Sequence, residues 1–164
     1  MPTISIIDDI LAPREFIKLG YEGKNPFKAM TVTPDTLKDM MKIPSPQLYE
    51  TDIRWDISAD PRDFYGVWHG RRSEDRWTTS IIRIIIQGSQ SMKDNTGWVE
   101  IILKGTVETK YDYSNFIQKN FWWFFNYAFY FNQRRKYIDY AKESLYKIRD
   151  ELLYQLNILR EEYA

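Results

Sequence analysis

The chain has 164 residues, with 23 basic and 23 acidic side chains, one histidine and no cysteine. The balanced charge argues against a general nucleic-acid-binding protein, which usually has an excess of basic residues. The absence of cysteine excludes disulfides, thiol catalysis and thiolate metal sites. Length and composition predict a globular protein with one domain over residues 1–164, in which 1–113 form a small helix and a sheet and 114–162 a long helix.

The N-terminal part predicts one strand and one helix. Thr3 to Leu11 is compatible with either a short strand or one helical turn, whereas Phe16 to Glu22 has the alternation typical of a strand. Thr33-Pro34-Asp35 favours a helix start, because threonine caps well, proline suits the first turn and an acid suits the positive helix end. No basic start followed by an apolar run opens the chain, so we expect no signal peptide and a cytoplasmic location.

Between Leu48 and Tyr111, four segments with strand periodicity are separated by short polar turns. In the first, apolar residues from Tyr49 to Ile57 alternate with charged ones, which predicts a strand with one wet face. The third, Trp77 to Gln87, is apolar on both faces in its second half, so we expect a central strand. Strands joined in succession by short turns predict an antiparallel meander.

No glycine or proline follows Gly105, so the last part of the chain is predicted to be one long helix capped by Asp112 or Ser114. It contains the segment Phe121–Phe131, in which nine of eleven residues are aromatic. A helix that is apolar nearly all round is expected to be covered on more than one side. A membrane span needs about 20 consecutive apolar residues, and the polar residues flanking this segment predict that it does not span.

The predicted length of this helix raises a second question. About 48 helical residues would extend roughly 70 Å, and a compact domain of this size is about 40 Å across. The helix must therefore break, near Asn126 or at residues 132–136, or project and pair with a second chain, which we favour. Its second half has apolar residues at heptad-like spacing, typical either of packing on the chain's own sheet or of an oligomer interface. The candidate interface residues are Ile138, Leu145, Ile148, Leu152 and Leu159.

Aromatic and charged side chains near the sheet's apolar face and the aromatic segment are candidates for binding a ligand. They are Trp55, Trp68, His69, Arg83, Tyr111, Trp122 and Phe125. Arg83 interrupts a run of isoleucines, where an unpaired buried charge is costly. It is therefore expected to face solvent, to meet a carboxylate or to bind an anionic head group. The aromatic side chains either line a cavity between sheet and helix or fill it.

No pattern for catalysis, metal binding or a cofactor is present. The single histidine has no nucleophile motif beside it, and the glycines do not form a phosphate-binding loop. We therefore predict no catalytic residues, no metal and no cofactor, and we favour a protein that is not an enzyme.

The order of the predicted elements resembles that of a known superfamily. A strand at Phe16–Glu22, a small helix at Pro34–Lys42, a meander at Leu48–Tyr111 and a long C-terminal helix resemble the helix-grip proteins of the START and Bet v1-like superfamily. The resemblance implies an α+β fold in which a curved antiparallel sheet grips the helix, often around an apolar ligand.

Two functions are predicted. The first is non-enzymatic binding of an apolar or amphipathic small molecule between the sheet and the C-terminal helix. The second is a homo-oligomeric interaction or scaffold protein with the C-terminal helix as its interface. An enzyme that uses His69 or Arg83 has the least support.

Overall fold

The computed structural model describes residues 1–157 and has the predicted α+β architecture. The strands are β1 Thr3–Asp9, β2 Ile17–Lys24, β3 Leu48–Trp55, β4 Arg62–Ser73, β5 Thr78–Gln90 and β6 Thr96–Asp112. The α-helices are α1 Lys28–Met41, α2 Phe116–Phe125 and α3 Phe131–Gln155, and a short 3₁₀ turn, Ser45–Gln47, precedes β3. A five-residue π turn, Asn126–Tyr130, joins α2 to α3.

The strands form one antiparallel sheet in the order β1-β6-β5-β4-β3, and β3 to β6 form the predicted meander. β2 also pairs with β6, beside β1: β1 lies opposite residues 106–112 of β6 and β2 opposite residues 96–103. β1 and β2 are therefore two halves of one interrupted edge strand. The sheet has six strands, one more than the sequence predicted, because the ambiguous segment from Thr3 is a strand.

The first strand of the meander departs from simple alternation. β3 has a bulge between Glu50 and Asp52. Because side chains alternate with a period of two, one extra residue moves the following side chains to the opposite face. Tyr49 therefore stacks on His69 on the open face of the sheet, with 4.9 Å between ring centroids, whereas Trp55 lies on the face covered by helices.

The first helix begins earlier than predicted, at Lys28 rather than near Thr33, and Pro34 lies inside it. Proline removes one helical hydrogen bond, but α1 places Ala29 and Leu37 in the core with no exposed surface. Burial of this apolar side outweighs the lost hydrogen bond. Thr33 is not the N-cap, since its hydroxyl donates to the Ala29 carbonyl oxygen at 2.6 Å.

The core lies between one face of the sheet and the two helices α1 and α3. The sheet contributes Phe64, Trp68, Ile82, Ile84, Ile86, Val99, Ile101 and Leu103. From α3, Leu145, Ile148 and Leu152 enter the same core with no exposed surface. These three residues therefore pack on the chain's own sheet and α1, which is the first of the two alternatives predicted for this part of the helix, and their role in an oligomer interface stays a prediction. Ile138 is half-buried beside a small cluster around Val107, and Leu159 lies outside the described residues.

The C-terminal helix is about as long as the longest strand of the sheet, although a compact domain of this size was expected to be shorter than the helix. β6 has 17 residues, which at about 3.3 Å each extend roughly 56 Å. Helical residues 116–155 at 1.5 Å each extend roughly 60 Å. The π turn begins at Asn126, one of the two positions at which a break was predicted, and the helical path continues through it. Within residues 1–157, no helix is long and apolar enough to cross a membrane.

Candidate functional site

The aromatic segment of the C-terminal helix has an inner side that is packed on the sheet. The Trp122 ring stacks on Tyr111 with 4.7 Å between centroids, and its indole Nε1 donates to the Asp112 carbonyl oxygen at 2.9 Å. Phe125 lies beside them, and Trp77 meets both Trp122 and Phe125 edge-on. Three predicted ligand-binding residues, Tyr111, Trp122 and Phe125, are thus brought together, in contact with one another.

The π turn continues this inner side with polar groups. It buries Asn126 and Tyr130. The Tyr130 hydroxyl donates to Asp75 Oδ2 and lies 2.7 Å from Thr78 Oγ1, so it ties the turn to the start of β5. Asn126 Oδ1 accepts a hydrogen bond from Arg134 Nη1 at 2.8 Å. Turns of this wide i→i+5 type occur frequently at functional sites.

Arg134 extends the network to the edge of the sheet. Its Nε lies 2.9 Å from Asp8 Oδ2 on β1, an ion pair without hydrogen-bond geometry between two buried atoms. Arg134 is followed by two further basic residues, a pattern typical of a solvated helix face, but it is only 9% exposed. The spacing could have indicated that Arg134 is buried. Asn126, Tyr130 and Arg134 are each four residues apart, so they lie on one side of a helix. Their partner Asp75 lies in a distant turn.

The tyrosines of this network are protonated at neutral pH. Burial raises the pKa of Tyr111 to about 12. Burial, and then the hydrogen bond to the Asp75 carboxylate, also raise the pKa of Tyr130. Tyr130 is therefore a stable hydrogen-bond donor to Asp75, and the network holds the inner side of the helix against the sheet.

The outer side of the same segment is exposed. Eight large apolar side chains there are exposed by 44–84%. They are Phe116, Ile117, Phe121, Trp123, Phe124, Tyr127, Phe129 and Phe131, and we refer to them as the aromatic surface. The rings of Phe124 and Phe129 are in contact, with centroids 6.2 Å apart. α2 contains no buried residue. The prediction that this segment is covered on more than one side is therefore wrong for the single chain.

The remaining predicted ligand-binding residues lie elsewhere. Trp68 is 2% exposed in the core, whereas Trp55 is 50% exposed at the edge of the sheet and stacks on Phe27. His69 and Arg83 are paired across β4 and β5 on the open face, opposite the helices. Arg83 faces solvent there, which is the first of its three predicted alternatives.

Burial and the charges of Arg71 and Arg83 hold the pKa of His69 below its ordinary value. The imidazole is therefore neutral at pH 7, and it stacks on Tyr49.

Side chains meet across the interface between sheet and helices. A Cβ atom added to Gly66 on β4 would lie 2.9 Å from Met30 Cε on α1, and one added to Gly105 on β6 would lie 3.1 Å from Leu145 Cδ1 on α3. Real Cβ atoms rarely approach other atoms so closely. At these two positions the helices pack directly on the sheet.

Comparison with known proteins adds little. No protein-family model matches the chain, and no curated protein matches it. Among solved structures, it is similar to protein SA2116, of unknown function, from Staphylococcus aureus, with 9% sequence identity over 95% of this chain and 94% of that chain and a TM-score of 0.31. A TM-score this low carries no argument about function. The antiparallel sheet and long C-terminal helix are consistent with a helix-grip arrangement, but no superfamily follows from them.

Proposed function

We propose that the protein is a homo-oligomeric interaction protein that self-associates through the aromatic surface. The size of this surface carries the proposal. Its eight side chains are 44–84% exposed, which at about 200 Å² for each large side chain amounts to about 1,000 Å². The largest apolar patch of a typical monomer covers about 300–600 Å². A stable protein interface buries about 800 Å² on each partner, so the aromatic surface is large enough for one.

A second copy of the chain is the partner that fits this surface. A two-fold interface uses the same patch on both subunits, and aromatic rings attract one another in edge-to-face and offset arrangements. The aromatic surface is therefore complementary to itself. The exposed Ala128, between Tyr127 and Phe129, allows two helices to approach closely. The formal net charge of zero means that no net repulsion keeps two copies apart.

The inner network supports the same proposal. Stacking of Trp122 on Tyr111 and the hydrogen bonds of Asn126 and Tyr130 fix the helix before any partner arrives. Association then has a lower entropic cost, because little backbone remains to be ordered.

A lipid surface is the competing partner, since aromatic-rich helices also bind membrane interfaces. Helices that do so are usually rich in basic residues on their polar side. α2 has a single basic residue, Lys119, and its ammonium group lies over the Tyr113 ring at 5.5 Å, whereas the exposed Arg135 and Lys136 come only after the last ring of the surface. Self-association is therefore the better-supported function.

Sedimentation equilibrium over a range of concentrations tests the proposal. The wild-type protein should have a mass that is a multiple of 19.8 kDa. The double variant Phe124→Ser/Tyr127→Ser should be a monomer with an unchanged circular dichroism spectrum. The matched control Tyr154→Ser removes another ring, 77% exposed and outside the aromatic surface, and should leave the mass at the wild-type value.

Two results would overturn the proposal. One is a wild-type mass of a single chain at all concentrations up to about 100 μM, well above the Kd of an ordinary specific complex. The other is a double variant that associates as the wild type does. A monomeric wild type that pellets with phosphatidylcholine and phosphatidylglycerol vesicles, where the double variant does not, would assign the aromatic surface to lipid instead.

Binding of a small molecule between sheet and helix stays a prediction from the sequence, as do the helix-grip relationship and the cytoplasmic location. The self-association proposal depends on none of them.

A further inference from the structure

We infer that a small cavity at one end of the core binds the carboxylate of a small apolar acid. The cavity has a volume of about 70 Å³ and lies between the start of α1 and the end of the sheet where β3 is connected to β4. Its lining residues are Phe27, Trp55, Arg62, Phe64, Gln90 and Met92. The cavity shares no residue with the aromatic surface, so the inference goes beyond self-association.

Aromatic rings form the inner wall of the cavity. Phe27 stacks on Trp55 with 4.7 Å between centroids and meets Phe64 edge-on at 5.4 Å. Phe64 is 3% exposed, whereas Trp55 and Met92 are 50% and 47% exposed, so the cavity is closed towards the core and open at its rim. A water molecule requires about 10–15 Å³, so the cavity accommodates a group about as large as five water molecules, such as a short branched acyl group.

Arg62 supplies an unpaired positive charge. Within residues 1–157, its guanidinium group forms no ion pair, hydrogen bond or ring contact. Its Nε is buried without a partner, whereas its terminal Nη groups are not sealed. Asp60, two residues earlier, accepts a hydrogen bond from the Met92 amide at 2.8 Å, and none of the six lining residues is acidic. Beside an apolar wall the attraction of such a charge for an anion is weakly screened.

Gln90 supplies a second donor next to Arg62. The two residues are directly paired across β4 and β5, so their side chains lie on the same face of the sheet with Cβ atoms about 5 Å apart. Gln90 Oε1 accepts a hydrogen bond from the Phe27 amide at 3.0 Å, which directs the Nε2 group away from that amide. In the part of the chain that the structure describes, Nε2 donates to no group and is not sealed. One carboxylate can therefore accept from Arg62 and Gln90 together.

These features specify the class of ligand. A single guanidinium group matches the single charge of a carboxylate and bonds it in a fixed planar geometry. Phe27 is the N-cap of α1, so the positive end of the helix dipole also favours an anion there. The rings and Met92 select an apolar group beside the carboxylate. The ligand is therefore a short apolar carboxylate, either a free acid or the C-terminal residue of a peptide.

Titration with isobutyrate, followed by the NMR signal of the Trp55 indole N–H, tests the inference in the wild-type protein. Isobutyrate should shift this signal saturably, with a Kd on the order of 1 mM because the ligand has few atoms. Its uncharged isostere isobutyramide should bind at least about tenfold more weakly, because it lacks the charge that strengthens the hydrogen bonds to Arg62.

Two arginine variants show whether Arg62 itself holds the carboxylate. Arg62→Gln should weaken isobutyrate binding at least about tenfold, with an unchanged circular dichroism spectrum. The matched control Arg54→Gln removes a nearby arginine that pairs with Asp52 at 3.0 Å and does not line the cavity, and it should leave the affinity unchanged. N-acetylvaline separates the two sources of the carboxylate. Tighter binding than isobutyrate would assign the site to a peptide C-terminus, and weaker binding to a free acid.

Four results would overturn the inference. In the wild type, these are the absence of a saturable shift up to about 20 mM isobutyrate, about twenty times the expected Kd, equal binding of isobutyrate and isobutyramide, and a larger response to inorganic phosphate than to isobutyrate. The fourth is unchanged affinity in Arg62→Gln. The first three need no variant, so they do not depend on how a substitution affects folding.

Discussion

Tyr130 and Tyr127 lie on the same π turn but have opposite environments, with exposures of 5% and 84%. The Tyr130 hydroxyl reaches the Asp75 carboxylate and Thr78, and its ring packs against Trp77 at 5.4 Å between centroids. Replacing Tyr130 with phenylalanine keeps the ring and removes only the hydroxyl. Tyr127→Phe removes the same atom where it meets solvent, and it is therefore the matched control.

The expected cost follows from the lost hydrogen bond. A hydrogen bond to a charged group contributes about 1.5–3 kcal/mol. In this variant the Thr78 hydroxyl still has its hydrogen bond with the Thr109 hydroxyl at 2.9 Å. Asp75 Oδ1 still accepts hydrogen bonds from the backbone amides of Trp77 and Thr78. We therefore expect Tyr130→Phe to lower the free energy of unfolding by about 2 kcal/mol, or about 4–8 °C in Tm for a chain of this size. Tyr127→Phe should change it by less than about 0.5 kcal/mol.

Urea denaturation at pH 7, followed by far-ultraviolet circular dichroism at one protein concentration, measures both changes. A single concentration is needed because self-association adds to the apparent stability. If the two variants had equal midpoints, the Tyr130 hydroxyl would not anchor the π turn, and the explanation of why the aromatic surface is held rigid would fail.

Two further predictions concern pH and the core. The pKa values of Tyr111 and Tyr130 are raised above 10.0 in the folded state, so the contribution of these groups to the free energy of unfolding is fully present below pH 10. Above pH 10 the free energy of unfolding should fall by up to about 1.4 kcal/mol per pH unit for each tyrosine. Urea midpoints at pH 9, 10 and 11 measure this fall, and constant midpoints would contradict it. Leu145→Ala, at a position with no exposed surface, should cost about 2–5 kcal/mol without changing the oligomeric mass. The control Tyr154→Ala should cost less than about 0.5 kcal/mol. A lower oligomeric mass of Leu145→Ala at an unchanged free energy of unfolding would instead support an oligomer interface at the heptad positions.

Local patterns predicted the elements well where one face is buried and the other is wet. The four meander strands, β3 to β6, lie where alternation placed them, because a period of two is a property of neighbouring residues. Two local features of the chain were misinterpreted. Taken by itself, Pro34 indicates a helix start, but α1 begins six residues earlier because its apolar side is buried against the core. The bulge in β3 has no glycine to announce it and appears only when the strand pairs with β4.

The candidate sites were harder to predict, because their residues come from distant parts of the chain. Tyr130 and Arg134 stand in the aromatic helix, but their partners Asp75 and Asp8 are brought to them by the folding of the sheet.

Composition and periodicity established an α+β chain with a long helix whose aromatic segment is apolar nearly all round. They did not determine which side of that helix is covered, because aromatic residues occur on every side and burial depends on where the sheet ends. The fold places Leu145, Ile148 and Leu152 over the sheet, where their side chains are fully buried. It places α2 by the last residues of β6, where only the inner side finds a partner and the outer rings remain exposed.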